Sequence, residues 1–265
     1  MRLGLLSDVH ANLPALQAAL AALRDRGADG LLVAGDLVGY GAQPNECVDV
    51  LAEAEARCVA GNHDLFVLGR LPPTRFPAIA RRSAEVTRAL LRADTRSFLG
   101  SLPLTLRAGA VLVSHGSPDD PEEYVTEEGR AQELLRRLPN LSPPADTLVL
   151  GHTHRQWCVV GGRGALPARG LVQLPVGSRL LNPGSVGQSR ERERTPGARC
   201  AVYDTVAATV EFIRTDYDVA ASRRALRGLD LPDESLHAPP RLRGRVMRAS
   251  RRIMRRAAGR RSGRP

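Results

Sequence analysis

The stretch LGLLSDVHANLPALQAALAALRDRGADGLLVAGD, Leu3 to Asp36, decides the fold class of this 265-residue chain. An apolar run at 3–6 leads into a segment, 15–27, whose alanines and leucines recur at helical spacing, and a second apolar run follows at 30–35. Short apolar runs bounded by turn residues read as strands, so the unit reads strand, helix, strand. NECVDVLAEAEA at 45–56 and RCVAG at 57–61 extend it to βαβαβ, an α/β protein with a mainly parallel sheet.

The pattern continues outward from there. Residues 74–100 look helical after Pro77, AGAVLVSHG at 108–116 and TLVLGHTH at 147–154 return to strands, and a helix near 126–138 lies between them. Beyond Gly161, LVQLPVGSRLLNPGSVGQ, ARCAVYDT and ATVEFIRTDY fit antiparallel hairpins that complete or cover the sheet. A last helix near 218–228 runs into HAPPR, a linker by composition, and no internal repeat is present.

Composition narrows the class. A hydrophobic fraction of 43% suffices for a real core and argues against disorder of the whole chain. The opening MRLGLLSDVH places Asp8 where a secretory signal would still need apolar residues, and no run approaches the ~20 apolar residues of a membrane span. The expectation is a cytoplasmic protein. Cys47, Cys58, Cys158 and Cys200 form no CxxC pair, so neither a zinc knuckle nor a disulfide framework is indicated; they are expected reduced and mostly buried.

The net charge of +10 is not spread evenly. Of the 38 basic residues, all Arg, eleven lie in 241–265 with no acidic residue, leaving 27 against 28 acidic before them. The basicity belongs to the tail. Leu242, Val246, Ala249, Ile253 and Ala257 recur there at spacings of three or four. The tail reads either as a basic amphipathic helix formed on an anionic membrane or nucleic acid, or as a solvated extension shaped by an Arg-rich composition. With only 3% aromatic residues, any nucleic-acid contact would be mainly to phosphates and strongly salt-dependent.

The chemistry sits at the ends of the apolar runs. Asp8 and His10 follow the first, Asp36 the second, Asn62 and His63 the third, His115 the run VLVS, and His152 and His154 the run LVLG. Ligand sites of parallel α/β sheets lie beyond the carboxyl ends of the strands, so these residues are expected to converge. Five of the six histidines stand at such ends; only His237 lies elsewhere. His152 and His154, at i and i+2, would face one side if the extended conformation continued past Gly151. Adjacent Asn62 and His63, read as strand residues, would point to opposite sides. Each position alone could cap a helix or form a turn, but four turns choosing Asp, Asn or His independently is the weaker explanation. Carboxylates, an amide oxygen and imidazoles without thiolate suit Mn²⁺, Fe²⁺, Ni²⁺ or Zn²⁺. Seven ligands exceed the needs of one ion; two ions sharing a carboxylate and a hydroxide can use them, and such a pair serves phosphoester hydrolysis.

SDVH, GD within LLVAGDLVGYG, GNHD, SHG and GHTH, in this order, resemble the motifs of the calcineurin-like metallophosphoesterase superfamily over roughly residues 3–190. The resemblance implies a four-layer αββα sandwich of two mixed β-sheets flanked by helices, spanning 1–238, with 239–265 as the Arg-rich tail. It implies that Asp8, His10, Asp36 and His154 hold one metal and Asp36, Asn62, His115 and His152 the other, with Asp36 bridging. His63 would donate a proton to the leaving oxygen or steady its charge. Mn²⁺ is the expected metal, with Fe, Ni or Zn as alternatives.

Where protein Ser/Thr phosphatases of the superfamily carry GDxVDRG and GNHE, this chain has GDLVGYG and GNHD, so Gly39 and Tyr40 stand where that group has the Asp orienting its His and an Arg gripping phosphate. It is more similar to the short bacterial and archaeal phosphodiesterase branch, through GDLVGYG, HGSP and LNPGSVGQ. The expected activity is hydrolysis of a small phosphodiester or nucleotide. A dinucleoside polyphosphate, a nucleic acid recruited by the tail, or a protein-binding scaffold without catalysis are the rival readings, and the filled ligand positions favour an enzyme. Tyr40, Tyr124 and Trp157 could stack on a base or simply pack, Arg155 and Arg190 could meet a second phosphate, and NPGS at 182–185 could line the site.

Overall fold

The computed structural model describes residues 1–239; the tail and its proposed helix lie outside them. Strand β1 (Arg2–Leu6) enters α1 (Leu13–Asp25), followed by β2 (Gly30–Val33), α2 (Pro44–Glu53), β3 (Arg57–Cys58), α3 (Asn62–Val67), α4 (Ala78–Leu90) and α5 (Ala93–Ser101). Next come β4 (Thr105–Ala108), β5 (Val111–Ser114), α6 (Glu128–Arg137), β6 (Thr147–Val149), β7 (Gln156–Val160), β8 (Gly164–Leu166), β9 (Gly170–Gln173) and β10 (Arg179–Pro183). The long strands β11 (Ala198–Asp204) and β12 (Thr209–Thr215) precede α7 (Val219–Arg227).

These strands form two six-stranded sheets, β3-β2-β1-β11-β12-β9 and β4-β5-β6-β10-β7-β8. Both are mixed. In the first, β1, β2 and β3 run parallel and β11, β12 and β9 add antiparallel; in the second, β5, β6 and β10 run parallel, with β4 and β7–β8 antiparallel at the margins. The parallel unit read outward from Leu3–Asp36, β1 to β3, is therefore half of one sheet.

Alternation along each strand explains the layers. Leu3 and Leu5 of β1 face a core shared with Val111 and Val113 of β5, Val149 of β6 and Leu181 of β10. Leu6 turns outward to Leu16, Ala19 and Leu23 of α1, while Leu112, Leu148 and Leu180 turn to Leu134 and Leu135 of α6. Both faces of both sheets are covered, which is why the strands appear as unbroken apolar runs. The four layers are helices, sheet, sheet, helix.

Two local details differ from the sequence expectation. The helical region after Pro77 is two helices, because Leu91 and Arg92 are extended (ψ 122° and 159°). Asn45 of α2 satisfies the break, donating from Nδ2 to the Leu90 carbonyl at 2.9 Å and accepting the Arg92 N–H at 3.0 Å. Asn62 and His63 begin helix α3 rather than continuing a strand, so strand alternation does not separate their side chains.

Candidate metal centre

The site lies where the carboxyl ends of β1, β2 and β3 meet those of β5 and β6. The backbone there is distinctive: Asp8, His10, Asp36, Tyr40, His152 and His154 all have left-handed φ, between 48° and 62°. Such backbone is uncommon outside glycine, although Asp and His tolerate it better than most. It corrects the extended reading of GHTH. Strand β6 ends at Val149, and His152 and His154 reach the centre from a turn. The turn is held from below by Asn182, whose Nδ2 donates to the Gly151 carbonyl at 2.7 Å and to Thr153 Oγ1 at 3.1 Å.

Close approach also dictates two glycines. A Cβ on Gly61 would collide with the Asp36 carboxylate, and one on Gly151 with Ser7 Oγ. GNHD and GHTH therefore abut the aspartate turns from opposite sheets.

All eight polar residues singled out from the strand ends are buried. Asp8, His10 and His154 form one group able to hold a metal, and Asp36, His115 and His152 another. In the first, Asp8 Oδ1 lies 3.1 Å from His154 Nε2 and 3.8 Å from His10 Nε2. In the second, His115 Nε2 lies 3.2 Å from Asp36 Oδ2 and 3.0 Å from Asn62 Oδ1. Asp36 Oδ2 is also 3.7 Å from His10 Nε2, so this oxygen stands between the groups.

The hydrogen bonds orient these atoms as metal ligands would need. His10 Nδ1 faces the Val38 carbonyl at 3.3 Å and His154 Nδ1 the Gln188 carbonyl at 2.8 Å. A carbonyl only accepts, so each Nδ1 carries the proton and the two Nε2 lone pairs confront each other at 3.2 Å. That contact is repulsive without a positive charge beside it. His115 likewise gives Nδ1 to Ala34 O at 2.7 Å, while His152 gives Nε2 to Glu122 O at 3.1 Å, leaving its Nδ1 as the ligand atom. Each aspartate uses one oxygen structurally: Asp8 Oδ2 accepts the His152 N–H and Asp36 Oδ1 the His63 N–H. The other oxygens, Asp8 Oδ1 and Asp36 Oδ2, are buried without a hydrogen-bond partner. Unpaired buried carboxylate oxygens are costly, and divalent cations relieve that cost. The residues fit two metals.

Titration follows the same geometry. Burial works to raise Asp8 and Asp36, but the neighbouring His154 and His115, respectively, pull each well below the usual carboxylate range. Burial would lower His115, yet Asp36 beside it raises it to about 9. Burial lowers His152 to about 3 and His63 to about 4.

His63 packs at 4.5 Å from the Tyr40 ring and 4.9 Å from the His10 ring, and its Nδ1 is buried without a partner. A Cβ on Gly39 would lie 2.8 Å from that nitrogen, so the space for an orienting carboxylate is closed. Asp64, which sequence inspection left without a role, anchors the turn instead: Oδ1 accepts from Val38 N at 3.0 Å and Oδ2 from Gly61 N at 2.8 Å.

The substrate candidates separate. Tyr124 is 54% exposed with its ring 3.8 Å from that of His152. Tyr40 is 4% exposed, edges onto His10 and lies against His63. Trp157 packs beside the α6 core, and Arg155 is exposed on the approach to β7. The LNPGSVGQ segment lines the site through Asn182, through Ser185 Oγ donating to Asp8 O at 3.0 Å, and through Gln188 O. The signal available in advance was polar residues clustered directly after an apolar run.

Residues 1–207 match the calcineurin-like phosphoesterase superfamily domain, and the chain belongs to that family. The metallophosphoesterase of Sphaerobacter thermophilus shares 33% identity with it and superposes with a TM-score of 0.74, over 89% of this chain and 97% of that one. The uncharacterized protein MJ0912 of Methanocaldococcus jannaschii is 30% identical over 238 residues, covering 87% of this chain and 94% of that protein. The hypothetical protein PH1004 of Pyrococcus horikoshii OT3, 19% identical, shares the fold at a TM-score of 0.71, over 89% and 96% of the two chains. No helix among the described residues is long and apolar enough to cross a membrane.

Proposed function

We propose that this metallophosphoesterase hydrolyses a small phosphodiester or nucleotide, with Mn²⁺ as its metal. The observation that carries the proposal is Asp36 Oδ2, buried and unpartnered between two groups of imidazole and carboxylate ligands. Two divalent cations bound there would neutralise phosphate oxygens and lower the pKa of a water. Asp36 ties the two groups together, and the backbone carbonyls of Val38, Ala34, Glu122 and Gln188 fix each imidazole's tautomer. His63, whose ring stands beside that of His10 in the first group, would give a proton to the leaving oxygen or steady its charge. The intact ligand set favours hydrolysis over a scaffold role.

The test is hydrolysis of bis(4-nitrophenyl) phosphate and of cyclic and dinucleotide substrates by protein loaded in turn with Mn²⁺, Fe²⁺, Ni²⁺ and Zn²⁺. Activity that chelation abolishes and Mn²⁺ restores is expected. Active protein that holds no more than one ion per chain would overturn the two-metal reading.

A further inference from the structure

We propose that Arg190 grips the reacting phosphate of the substrate, an inference that rests on the hydrolase reading above. Arg190 follows the segment that leaves β10. Its side chain is half-buried and, among the described residues, has no carboxylate within ion-pair distance. The neighbouring Arg199 is different, since Glu193 pairs with it at 2.8 Å. Arg190 Nε donates to Gln188 Oε1 at 3.3 Å and Nη1 to Tyr124 Oη at 3.4 Å, both long and both to neutral groups.

Its two partners belong to the margins of the metal centre. The Gln188 carbonyl holds His154 of the first group, and the Tyr124 ring lies on His152 of the second. The charge of Arg190 also falls on Tyr40, whose ring edges onto His10 and lies against His63. The guanidinium is thus bracketed by residues that touch both ligand groups and His63. With Tyr40, Pro77, Ile79, Pro232 and the carboxylate-bearing Glu234 it lines a cleft of about 490 Å³, so a ligand can reach it, and that volume is ordinary for a nucleotide-sized site.

A partly desolvated guanidinium without a counter-ion is unfavourable unless a ligand supplies the anion. Its planar fork matches two phosphate oxygens, and it remains charged at any working pH. Placed beside both ligand groups, it would bind the equatorial oxygens of the phosphate under attack, where charge is shared during phosphoryl transfer.

Arg190→Ala and Arg190→Lys test this in the metal-loaded protein. Arg190→Ala should keep two ions per chain and its unfolding temperature, because no ion pair is lost. Its dissociation constant for inorganic phosphate, measured by calorimetry, should rise about 10- to 100-fold, the scale of a charged hydrogen bond. Its kcat on bis(4-nitrophenyl) phosphate should fall by a comparable factor, and Arg190→Lys should recover part of both losses. Unchanged phosphate affinity in Arg190→Ala, with wild-type hydrolysis intact, would overturn the proposal. So would a loss confined to substrates carrying a second phosphate, which would place Arg190 at the distant one. A wild-type protein that hydrolyses nothing yet binds phosphate through Arg190 would support the subsite and overturn the hydrolase reading instead.

Discussion

At the scale of single residues, Asp36 and His63 carry different kinds of work, and substitution separates them. Asp36 Oδ1 accepts the His63 N–H while Oδ2 faces both ligand groups. Asp36→Asn keeps the shape but removes the charge, so bound metal should fall below two per chain and activity by about 10²-fold or more, since even outer partners of a ligand are worth 10–100-fold. Elemental analysis beside the rate assay checks both; a variant retaining two tightly bound ions would remove Asp36 from its bridging position. His63→Ala should keep both metals. A general acid contributes about 10²–10⁴-fold and matters most for poor leaving groups. The loss should therefore be large for an alkoxide leaving group and small for nitrophenolate. A plot of rate against leaving-group pKa decides, and equal losses across the series would assign His63 to charge stabilisation.

At the scale of elements, the site depends on turns more than on the strands that precede them. The turn into α3 is pinned by Asp64, which holds Val38 N and Gly61 N with separate oxygens. An amide has only one acceptor oxygen, so Asp64→Asn leaves a buried N–H unpaired and should destabilise the fold by about 1–3 kcal/mol in urea unfolding. Burial, followed by the charge of Asp36, raises Asp64 from 3.8 to about 7. A raised folded-state pKa means that the protonated form stabilises: the contribution is full below about pH 4 and is lost as pH rises through about 7. In chelated protein the deficit of Asp64→Asn should accordingly shrink between pH 4 and 7. A deficit that grows over this window would show that the carboxylate is ionised throughout.

At the scale of the whole molecule, the centre joins two sheets that also meet through their apolar core and through polar contacts such as Gln156 Nε2 donating to the Cys200 and Ile213 carbonyls. Asp8, His10, Asp36 and Asn62 come from the first sheet's connections and His115, His152 and His154 from the second's. Binding a cation across them stabilises the folded chain by about 2.7 kcal/mol at a hundredfold excess over Kd. For a domain of this size that is a rise of roughly 5–10 °C in Tm. Calorimetry of the chelated protein before and after adding Mn²⁺ measures it without any substrate. Four buried, unpaired cysteines add no crosslink of their own, so Tm should be insensitive to thiol reductants.

The sequence alone was enough for the α/β class, the strand order of chemistry from Asp8 to His154 and the set of residues that converge. Hydrophobic runs and the polar residues immediately after them are local signals, and the left-handed turns at Asp8, Asp36 and His152 serve those same positions. The motif resemblance already implied how the set divides; what only the tertiary structure decided is which atoms meet to carry that division. His10 and His154 confront each other across 144 residues, and Asp36 Oδ2 lies between two groups because two sheets face one another, a relation no local pattern encodes. The same holds for Asn182, Asp64 and Arg190. Their roles arise from which buried N–H, carbonyl or counter-charge lies opposite them, and packing alone determines that.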